Sequence, residues 1–319
     1  MKYLDFQDKK YSKIGIGTGR FGTIVPEERS KELLDLFFYY GGTVIDTARN
    51  YYEWVEDGRG KSEQCIGKWM EERNLRDKVC ISTKGGVKNK GKEWFINLSK
   101  GALLDELKES LEALRTDYLD IYVLHRDEKE RSVEEIINTL QELKEKASIC
   151  HIGVSNWTYE RVYKANEYAI KNGLCPLEML QTWWSLAEYT DEMWNDSNTT
   201  HMDEELYHYM RLNQMVGMAY TSQCKGFFQK AIEFGLENVD DFLKYRILTE
   251  RNLKKLEYIR EFCKENRISP TAVVTGYITS NTLNGIALIS TSKQEQLKNI
   301  MQNADYSLPE RVIKELDMI

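Results

Sequence analysis

The sequence predicts an α/β protein whose strands and helices form a (β/α)8 barrel, the architecture also called a TIM barrel. The first observation behind this prediction is the regular alternation of short β-branched runs with helical patterns along the 319 residues. Such alternation is typical of parallel strands joined by helical crossovers. The second is that the chain holds eight strand candidates, as many as a closed barrel needs. The third is that no segment rich in Ser, Gly or Pro divides the chain, so we expect one domain over residues 1–319.

Each of the first five units of the predicted barrel pairs a strand with a helix whose ends carry recognisable signals. Pro26 opens the first of these helices, and Ser99 is a plausible N-cap of the third. Ser132 and Glu135 have the spacing of a capping box, and Gly173 has the position of a C′ residue. The predicted helices span 26–40, 61–73, 98–114, 132–146 and 158–173. The predicted strands span 12–17, 42–46, 78–83, 119–125, 150–156, 178–181, 214–221 and 285–290.

The segment before the first barrel strand has a pattern of its own. Its residues, YLDFQDKKYSKI, alternate around a polar turn. We therefore expect an N-terminal β-hairpin that closes the bottom of the barrel. The basic stretch VKNKGK at 87–92, in contrast, is expected to be a solvated loop.

An open dinucleotide-binding sheet is the alternative fold. That fold requires a G-x-G-x-x-G motif that follows a strand and opens a helix. The nearest match, IGIGTG at 14–19, lacks the third glycine and the helix start. The sequence therefore favours the closed barrel.

Composition and motif content exclude several classes of function. The net charge of −7 argues against nucleic acid as the main partner. No run of about 18 apolar residues predicts a membrane span, and the N-terminus lacks the apolar core of a signal peptide. The six cysteines form no C-x-x-C pair and the four histidines no H-E-x-x-H, so we expect no metal site. We expect a cytoplasmic protein, either a monomer or a homo-oligomer.

Polar residues close the predicted strands, where the active sites of such barrels lie. Asp46, Lys84 and His125 end the second, third and fourth strands, and Tyr51 follows Asp46. Each residue alone has a structural explanation, such as a turn cap, a solvated lysine or a satisfied histidine. Together they predict acid catalysis: a lysine paired with an aspartate can lower the pKa of a tyrosine, which then donates a proton. A histidine beside it can orient a carbonyl oxygen.

These residues stand in motifs that resemble those of the aldo-keto reductase family over essentially the whole chain. The family's D-T-A-x-x-Y signature appears as DTARNY at 46–51, and its lysine strand as ISTK at 81–84. TDYLDIYVLH at 116–125, IGVSNW at 152–157 and AYTSQCKGFF at 219–228 match further segments. The resemblance implies that Asp46, Tyr51, Lys84 and His125 are catalytic. The later motifs look like those of a bacterial branch of the family.

The resemblance also implies a nicotinamide dinucleotide, usually NADPH with NADH possible, bound across the barrel mouth. Ser155, Asn156 and Gln181 would bind the carboxamide, and Tyr220 would stack on the nicotinamide ring. The other implied contacts are Gly17, Thr18, Gly19 and Asp46 near the dinucleotide, Thr221, Gln223 and Lys225 along the pyrophosphate, and Ser290, Thr291, Ser292, Lys293 and Gln296 around the adenosine phosphate.

The adenosine end departs from the family pattern. The usual arginine is missing and Gln296 occupies its place, while Ile300 replaces the usual asparagine. Lys293 is then the one cation in the matching loop. Because lysine gives less bidentate specificity than arginine, we expect a moderate preference for NADPH over NADH, about 10- to 100-fold.

The substrate of the predicted reaction is a small-molecule carbonyl compound that the sequence does not identify. We predict a pocket formed by Trp54, Trp94, Arg126 and Trp184, within a larger group of aromatic residues at the mouth that adds Phe95, Trp157, Trp183 and Trp194. Two alternatives remain open. One is a cofactor-loaded sensor barrel with little turnover, and the other is a Schiff-base enzyme that uses Lys84.

Overall fold

Parallel strands form the centre of the protein, which the computed structural model describes over residues 1–7, 9–90, 93–189 and 199–319. An N-terminal hairpin pairs β1 (Tyr3–Phe6) with β2 (Lys9–Ser12). The barrel strands are β3 (Ile14–Gly17), β4 (Val44–Asp46), β5 (Cys80–Gly85), β8 (Leu119–Leu124), β9 (Ile149–Ser155), β10 (Met179–Trp183), β11 (Val216–Tyr220) and β12 (Asn284–Ile289). They close in the order β10-β11-β12-β3-β4-β5-β8-β9, which confirms the predicted fold class.

The helices surround the barrel and begin close to the predicted positions. Pro26 precedes the first helix, and Ser132 accepts a hydrogen bond from the Glu135 amide. Ser99 occupies the N-cap without a side-chain hydrogen bond, and Gly173 has the left-handed backbone of a C′ residue, with φ of 67°. The helices are α1 (Glu27–Tyr39), α2 (Lys61–Arg73), α3 (Lys100–Leu114), α4 (Val133–Lys146), α5 (Tyr159–Lys171), α6 (Glu204–Leu212), α7 (Phe227–Phe234), α8 (Asp241–Ile247), α9 (Glu250–Asn266), α10 (Pro270–Thr279), α11 (Gln294–Gln302) and α12 (Glu310–Met318).

The N-terminal hairpin closes the end of the barrel where the strands begin. Leu4 and Tyr11 belong to the apolar cluster inside the barrel, where they join residues such as Met179. Lys9 forms an ion pair with Asp120 of β8. The hairpin therefore covers the bottom of the barrel, and the opposite end of the strands remains the mouth.

The basic segment after β5 corrects one expectation. Val87–Lys90 forms strand β6, which pairs antiparallel with β7 (Glu93–Ile96), so the predicted loop is the first half of a second hairpin. Residues 91 and 92 lie outside the described part of the chain. Val87 of this hairpin is buried, while Trp94 and Phe95 are exposed. This hairpin carries two aromatic side chains to the mouth.

Additional helices follow β11 and build a second apolar cluster. Phe227 and Phe228 of α7 pack there with Ile259 of α9 and Val312 of α12. Within the described residues, no helix is long and apolar enough to cross a membrane. The same residues contain no group of three or more His, Cys, Asp or Glu side chains arranged to hold a metal ion.

Candidate active site

Three predicted catalytic side chains converge where β4 and β5 end. Asp46 is the last residue of β4, and Lys84 lies on the adjacent strand β5. Lys84 Nζ donates to Asp46 Oδ2 at 2.7 Å, to the phenol oxygen of Tyr51 at 2.8 Å and to the carbonyl oxygen of Thr47 at 2.7 Å. All three ammonium hydrogens therefore have an acceptor. The pairing of β4 with β5 places Asp46 and Lys84 on neighbouring strands, and the loop after β4 brings the Tyr51 hydroxyl to the Lys84 ammonium.

The second carboxylate oxygen of Asp46 is held by the barrel interior. Ser82 Oγ donates to Asp46 Oδ1 at 3.0 Å, and Gln181 Nε2 donates to the same atom at 2.9 Å. Asp46 is only 2% exposed. Since hydrogen bonds and the Lys84 charge compensate its burial, the carboxylate is a fixed negative charge beneath the mouth. Gln181, which we predicted at the carboxamide, uses its amide nitrogen on Asp46 instead.

The protonation equilibria in this cluster differ from our expectation. We expected Lys84 to lower the pKa of Tyr51. Instead, burial and the Asp46 carboxylate raise the pKa of Tyr51 well above its usual value, although Arg126 opposes them. Burial likewise lowers the pKa of Lys84, against the attraction of Asp46. At neutral pH Tyr51 is therefore a neutral phenol that holds a proton it can donate.

His125 follows β8 and approaches Tyr51 edge-on, with the ring centroids 5.9 Å apart. Its Nδ1 lies 2.9 Å from Oδ1 of Asn50, a buried side chain that sequence analysis missed. Burial and the charges of Lys84 and Arg126 hold the pKa of His125 well below its usual value. The imidazole is therefore neutral at pH 7. The signal for Asn50 was its position inside DTARNY, directly before the tyrosine.

The residues predicted to hold the carboxamide form a hydrogen-bonded group at the ends of β9 and β11. Asn156 Nδ2 donates to Ser155 Oγ at 2.8 Å, and the Tyr220 hydroxyl donates to Asn156 Oδ1 at 2.7 Å. Asn156 has a positive φ of 63°, a conformation that asparagine tolerates better than most residues. The structure thus brings Ser155, Asn156 and Tyr220 together beside the catalytic cluster.

Two cavities form one cleft across the mouth. A cavity of about 320 Å³ lies over Asp46 and Tyr51, and a cavity of about 740 Å³ extends from it past β12. They share Arg20, Thr221 and Ser290 as lining residues. Among the predicted residues, Gly17, Gly19 and Tyr220 line the smaller cavity, and Gln223, Lys225, Thr291 and Gln296 line the larger one. Sequence analysis missed Arg20 and Lys230 in these walls.

Aromatic side chains form a rim beside the smaller cavity. Trp54 lines it, stacks near Tyr52 with ring centroids 4.7 Å apart, and lies 6.2 Å from Trp94. The Arg126 guanidinium lies 5.9 Å from the centre of the Trp94 ring. Trp54 and Trp94 are 48% and 46% exposed, so about half of each side chain is accessible. The structure therefore groups Trp54, Trp94 and Arg126, three of the four predicted pocket residues.

Several predicted site residues lie elsewhere. Trp184 packs toward the bottom of β11 and β12, where a Cβ added at Gly217 or Gly285 would lie 3.2 or 3.0 Å from its ring, so it is a core residue. Thr18 is buried and donates to the carbonyl oxygen of Asp46 at 2.9 Å, so its side chain does not reach the cleft.

The residues predicted for the adenosine loop differ in their position relative to the cavities. Neither Ser292 nor Lys293 lines either cavity, because the chain turns there into α11 with Lys293 at its N-cap. Trp157 is fully buried, and Trp194 lies outside the described residues. Gln296, Asn299 and Ile300 of α11 do line the larger cavity.

Comparison with known proteins identifies the class to which this barrel and its cleft belong. The sequence profile described as "Aldo/keto reductase family" matches residues 13–319, and the chain therefore belongs to this family of oxidoreductases. Its members use nicotinamide cofactors and act on small carbonyl and alcohol compounds.

Individual relatives share about three residues in ten with the chain. A probable aryl-alcohol dehydrogenase, AAD4 of Saccharomyces cerevisiae, is 28% identical over 304 residues, which cover 92% of this chain and 88% of the relative. Norsolorinic acid reductase A of Aspergillus parasiticus is 27% identical over 322 residues, covering 97% and 77%. Aryl-alcohol dehydrogenase [NADP(+)] of Phanerodontia chrysosporium is 31% identical over 187 residues, covering 56% and 46%.

Proposed function

We propose that the protein reduces an aldehyde or ketone with NADPH, in a reversible reaction in which Tyr51 is the general acid. The observation that carries this proposal is the position of the Tyr51 phenol. It lies on the wall of the smaller cavity, 2.8 Å from a lysine ammonium that is itself fixed by Asp46. A proton donor and a cation thus meet at one point beside an open space for a substrate.

Tyr51 and Lys84 divide the proton transfer between them. A bound nicotinamide cofactor would supply the hydride for the carbonyl carbon. The Tyr51 hydroxyl gives its proton to the carbonyl oxygen as negative charge develops there. The resulting phenolate is stabilised by the Lys84 ammonium and is reprotonated from solvent. Because burial and Asp46 raise the pKa of Tyr51, the phenol holds its proton until an oxyanion forms. In the reverse direction Tyr51 accepts the proton of the alcohol.

The cleft has the chemistry that a nicotinamide dinucleotide phosphate requires. Arg20, Lys225 and Lys230 line the larger cavity and supply positive charge for phosphate groups. We assign the carboxamide to the hydroxyl and amide groups of Ser155 and Asn156, which hydrogen-bond to each other, and Tyr220, which donates to Asn156, lines the smaller cavity. The printed name of the Phanerodontia chrysosporium relative includes NADP(+), which agrees with this assignment.

The aromatic rim supports aromatic carbonyl compounds as the substrates. Trp54 and Trp94 present large apolar surfaces beside Tyr51, and flat rings pack well against such walls. The Arg126 guanidinium adds a positive charge at the same edge. Two of the relatives described above are named as aryl-alcohol dehydrogenases, a name that fits this substrate class.

The proposal is tested by following NADPH oxidation at 340 nm with a panel of aromatic aldehydes, aliphatic aldehydes, ketosugars and quinones. We expect the highest kcat/KM among the aromatic aldehydes. NADPH binding with no oxidation by any carbonyl would instead favour the sensor alternative. Trapping of a substrate on Lys84 by borohydride would favour the Schiff-base alternative, although the three hydrogen bonds of its ammonium argue against a free amine.

A further inference from the structure

The pair formed by Asn50 and His125 has a donor that the rest of the structure does not satisfy. Asn50 is only 2% exposed, and its Oδ1 lies 2.9 Å from His125 Nδ1. Its Nδ2 is buried and has no hydrogen-bond partner among the described residues. A buried donor without a partner is unfavourable, and next to a candidate catalytic histidine it calls for an explanation.

A neutral imidazole carries one proton, and its partner decides which nitrogen holds it. With Oδ1 facing Nδ1, the Nδ1 atom must carry the hydrogen, and Nε2 is left with a lone pair. If the amide turns by 180°, Nδ2 donates to Nδ1, and Nε2 carries the hydrogen instead. The unsatisfied Nδ2 means that the first orientation is not fixed by any further contact in the described residues.

We infer that Asn50 is a positioning residue for His125, because its side-chain amide determines which imidazole nitrogen carries the proton. A carbonyl oxygen accepts hydrogen bonds, so reduction needs a hydrogen on Nε2. An alcohol hydroxyl donates, so oxidation needs the lone pair there. Asparagine, which carries a donor and an acceptor on one rotatable group, serves both directions. This inference rests on the proposed function and on the role that the sequence predicts for His125, which is to orient the carbonyl oxygen of the substrate.

Other groups near His125 do not perform this task. Tyr51 meets the ring edge-on, with 5.9 Å between the centroids, and Lys84 and Arg126 act on it through their positive charges. These charges keep the ring neutral but do not distinguish its two nitrogens. Within the described residues, the side-chain hydrogen bond to His125 is the one made by Asn50.

The first test is the tautomer itself, measured by two-bond ¹H–¹⁵N NMR on protein labelled at its four histidines. In the wild type without substrate the amide has the orientation of the structure, so we expect the two ring nitrogens of His125 to have the widely separated shifts of the tautomer protonated at Nδ1. In Asn50→Leu we expect the shifts to move toward each other, because neither tautomer is selected. Identical tautomer populations in the two proteins would overturn the inference. This test needs no turnover, so it stands apart from the test of the proposed function.

The second test is the pH dependence of reduction by Asn50→Asp. A carboxylate accepts from Nδ1 only, so the neutral ring keeps a bare Nε2, and we expect kcat at pH 8 to fall about 10-fold or more. The carboxylate also raises the pKa of His125. Below that pKa the imidazolium has hydrogens on both nitrogens, and kcat recovers as the pH falls.

The wild type, whose ring is neutral throughout, should show no such rise between pH 8 and pH 6. The matched control is Asn166→Asp, since Asn166 is also buried but bonds to the Leu177 amide on the outside of the barrel. Its profile should remain flat. A flat profile for Asn50→Asp as well would contradict the inference. If Asn50→Asp does not fold, the NMR comparison with Asn50→Leu decides the question.

Discussion

Both ends of the barrel bury carboxylates, but the ionisable groups at the two ends differ in the direction of their pKa shifts. At the bottom, Glu178 accepts hydrogen bonds from His151, Lys144 and Gln7. Burial alone would raise the pKa of Glu178, yet these partners bring it below its usual value. The bottom therefore stabilises an ionised group.

At the mouth, the pKa values of the groups to which we assign catalysis are shifted toward the uncharged forms. Burial raises the pKa of Tyr51 and lowers that of Lys84 and His125. Perturbations of this kind are typical of catalytic sites, whereas a carboxylate with all its partners is typical of a structural ion pair. The comparison teaches that changes at the bottom should affect stability alone, whereas changes at the mouth should affect the reaction, and also stability where they break the buried ion pair of Lys84 and Asp46.

The largest effect is expected for Lys84→Met, which breaks the buried ion pair at the mouth. Asp46 would be left as a buried charge without its cation, and the free energy of unfolding should fall by about 3–5 kcal/mol. The rate of reduction should fall as well, because the phenolate loses its stabilising ammonium. Denaturant unfolding and steady-state kinetics measure the two effects. If the free energy of unfolding of the variant equals that of the wild type, the expected penalty for an unpaired buried Asp46 carboxylate is contradicted.

Tyr51→Phe should affect the reaction alone. It keeps the ring but removes the proton donor, so we expect kcat to fall 10²-fold or more, which is about 2.7 kcal/mol in activation free energy. NADPH affinity and the melting temperature should stay near wild-type values. The control is Tyr52→Phe, which changes the adjacent tyrosine and should retain nearly full activity. Equal losses in both variants would remove Tyr51 from its assigned role.

Glu178→Gln tests the bottom of the barrel. The pKa of Glu178 is lowered in the folded state, so its contribution to stability is present above the unfolded value of about 4.3 and is lost as the pH falls through the folded value. At pH 7 the free energy of unfolding of the variant should be about 1–3 kcal/mol lower than that of the wild type. On acidification, the free energy of unfolding should fall less in the variant than in the wild type. Its kcat should be unchanged. A fall in kcat without loss of stability would contradict the division between the two ends.

The smallest effect is expected at the adenosine end of the cleft. Gln296 lines the larger cavity and lies where the family's arginine would be, so Gln296→Arg should increase the preference for NADPH over NADH about 10-fold. Lys293→Ala should change neither affinity, because Lys293 does not line the cavity. Fluorescence titration with both cofactors measures these affinities. A selective loss of NADPH binding in Lys293→Ala would restore our original prediction for that residue.

The parts of the site that the sequence predicts well are those that the strands determine. Asp46, Lys84 and His125 end or follow strands whose apolar pattern is clear, and the pairing of parallel strands then aligns them. Tyr51 follows from its fixed distance to Asp46 in a known signature. The fold and the grouping of these four side chains could therefore be predicted from the sequence alone.

The remaining parts depend on loops and on side-chain direction, which the sequence pattern does not define. Lys293 is close in sequence to Gln296, but the turn into α11 removes it from the cavity wall. Trp184 directly follows Trp183 of β10, yet its side chain packs toward the bottom of the barrel. Arg20 lines both cavities although it belongs to no motif that we recognised. Only the three-dimensional path of the chain reveals these placements.

The most direct test of the account is a single-turnover experiment with the wild-type protein. The protein is saturated with a stoichiometric amount of NADPH and mixed rapidly with an aromatic aldehyde, while absorbance at 340 nm is recorded. The account predicts that the NADPH signal decays completely and that one equivalent of alcohol forms for each site. Binding of NADPH with no decay of that signal, with aromatic and aliphatic carbonyls alike, would contradict it.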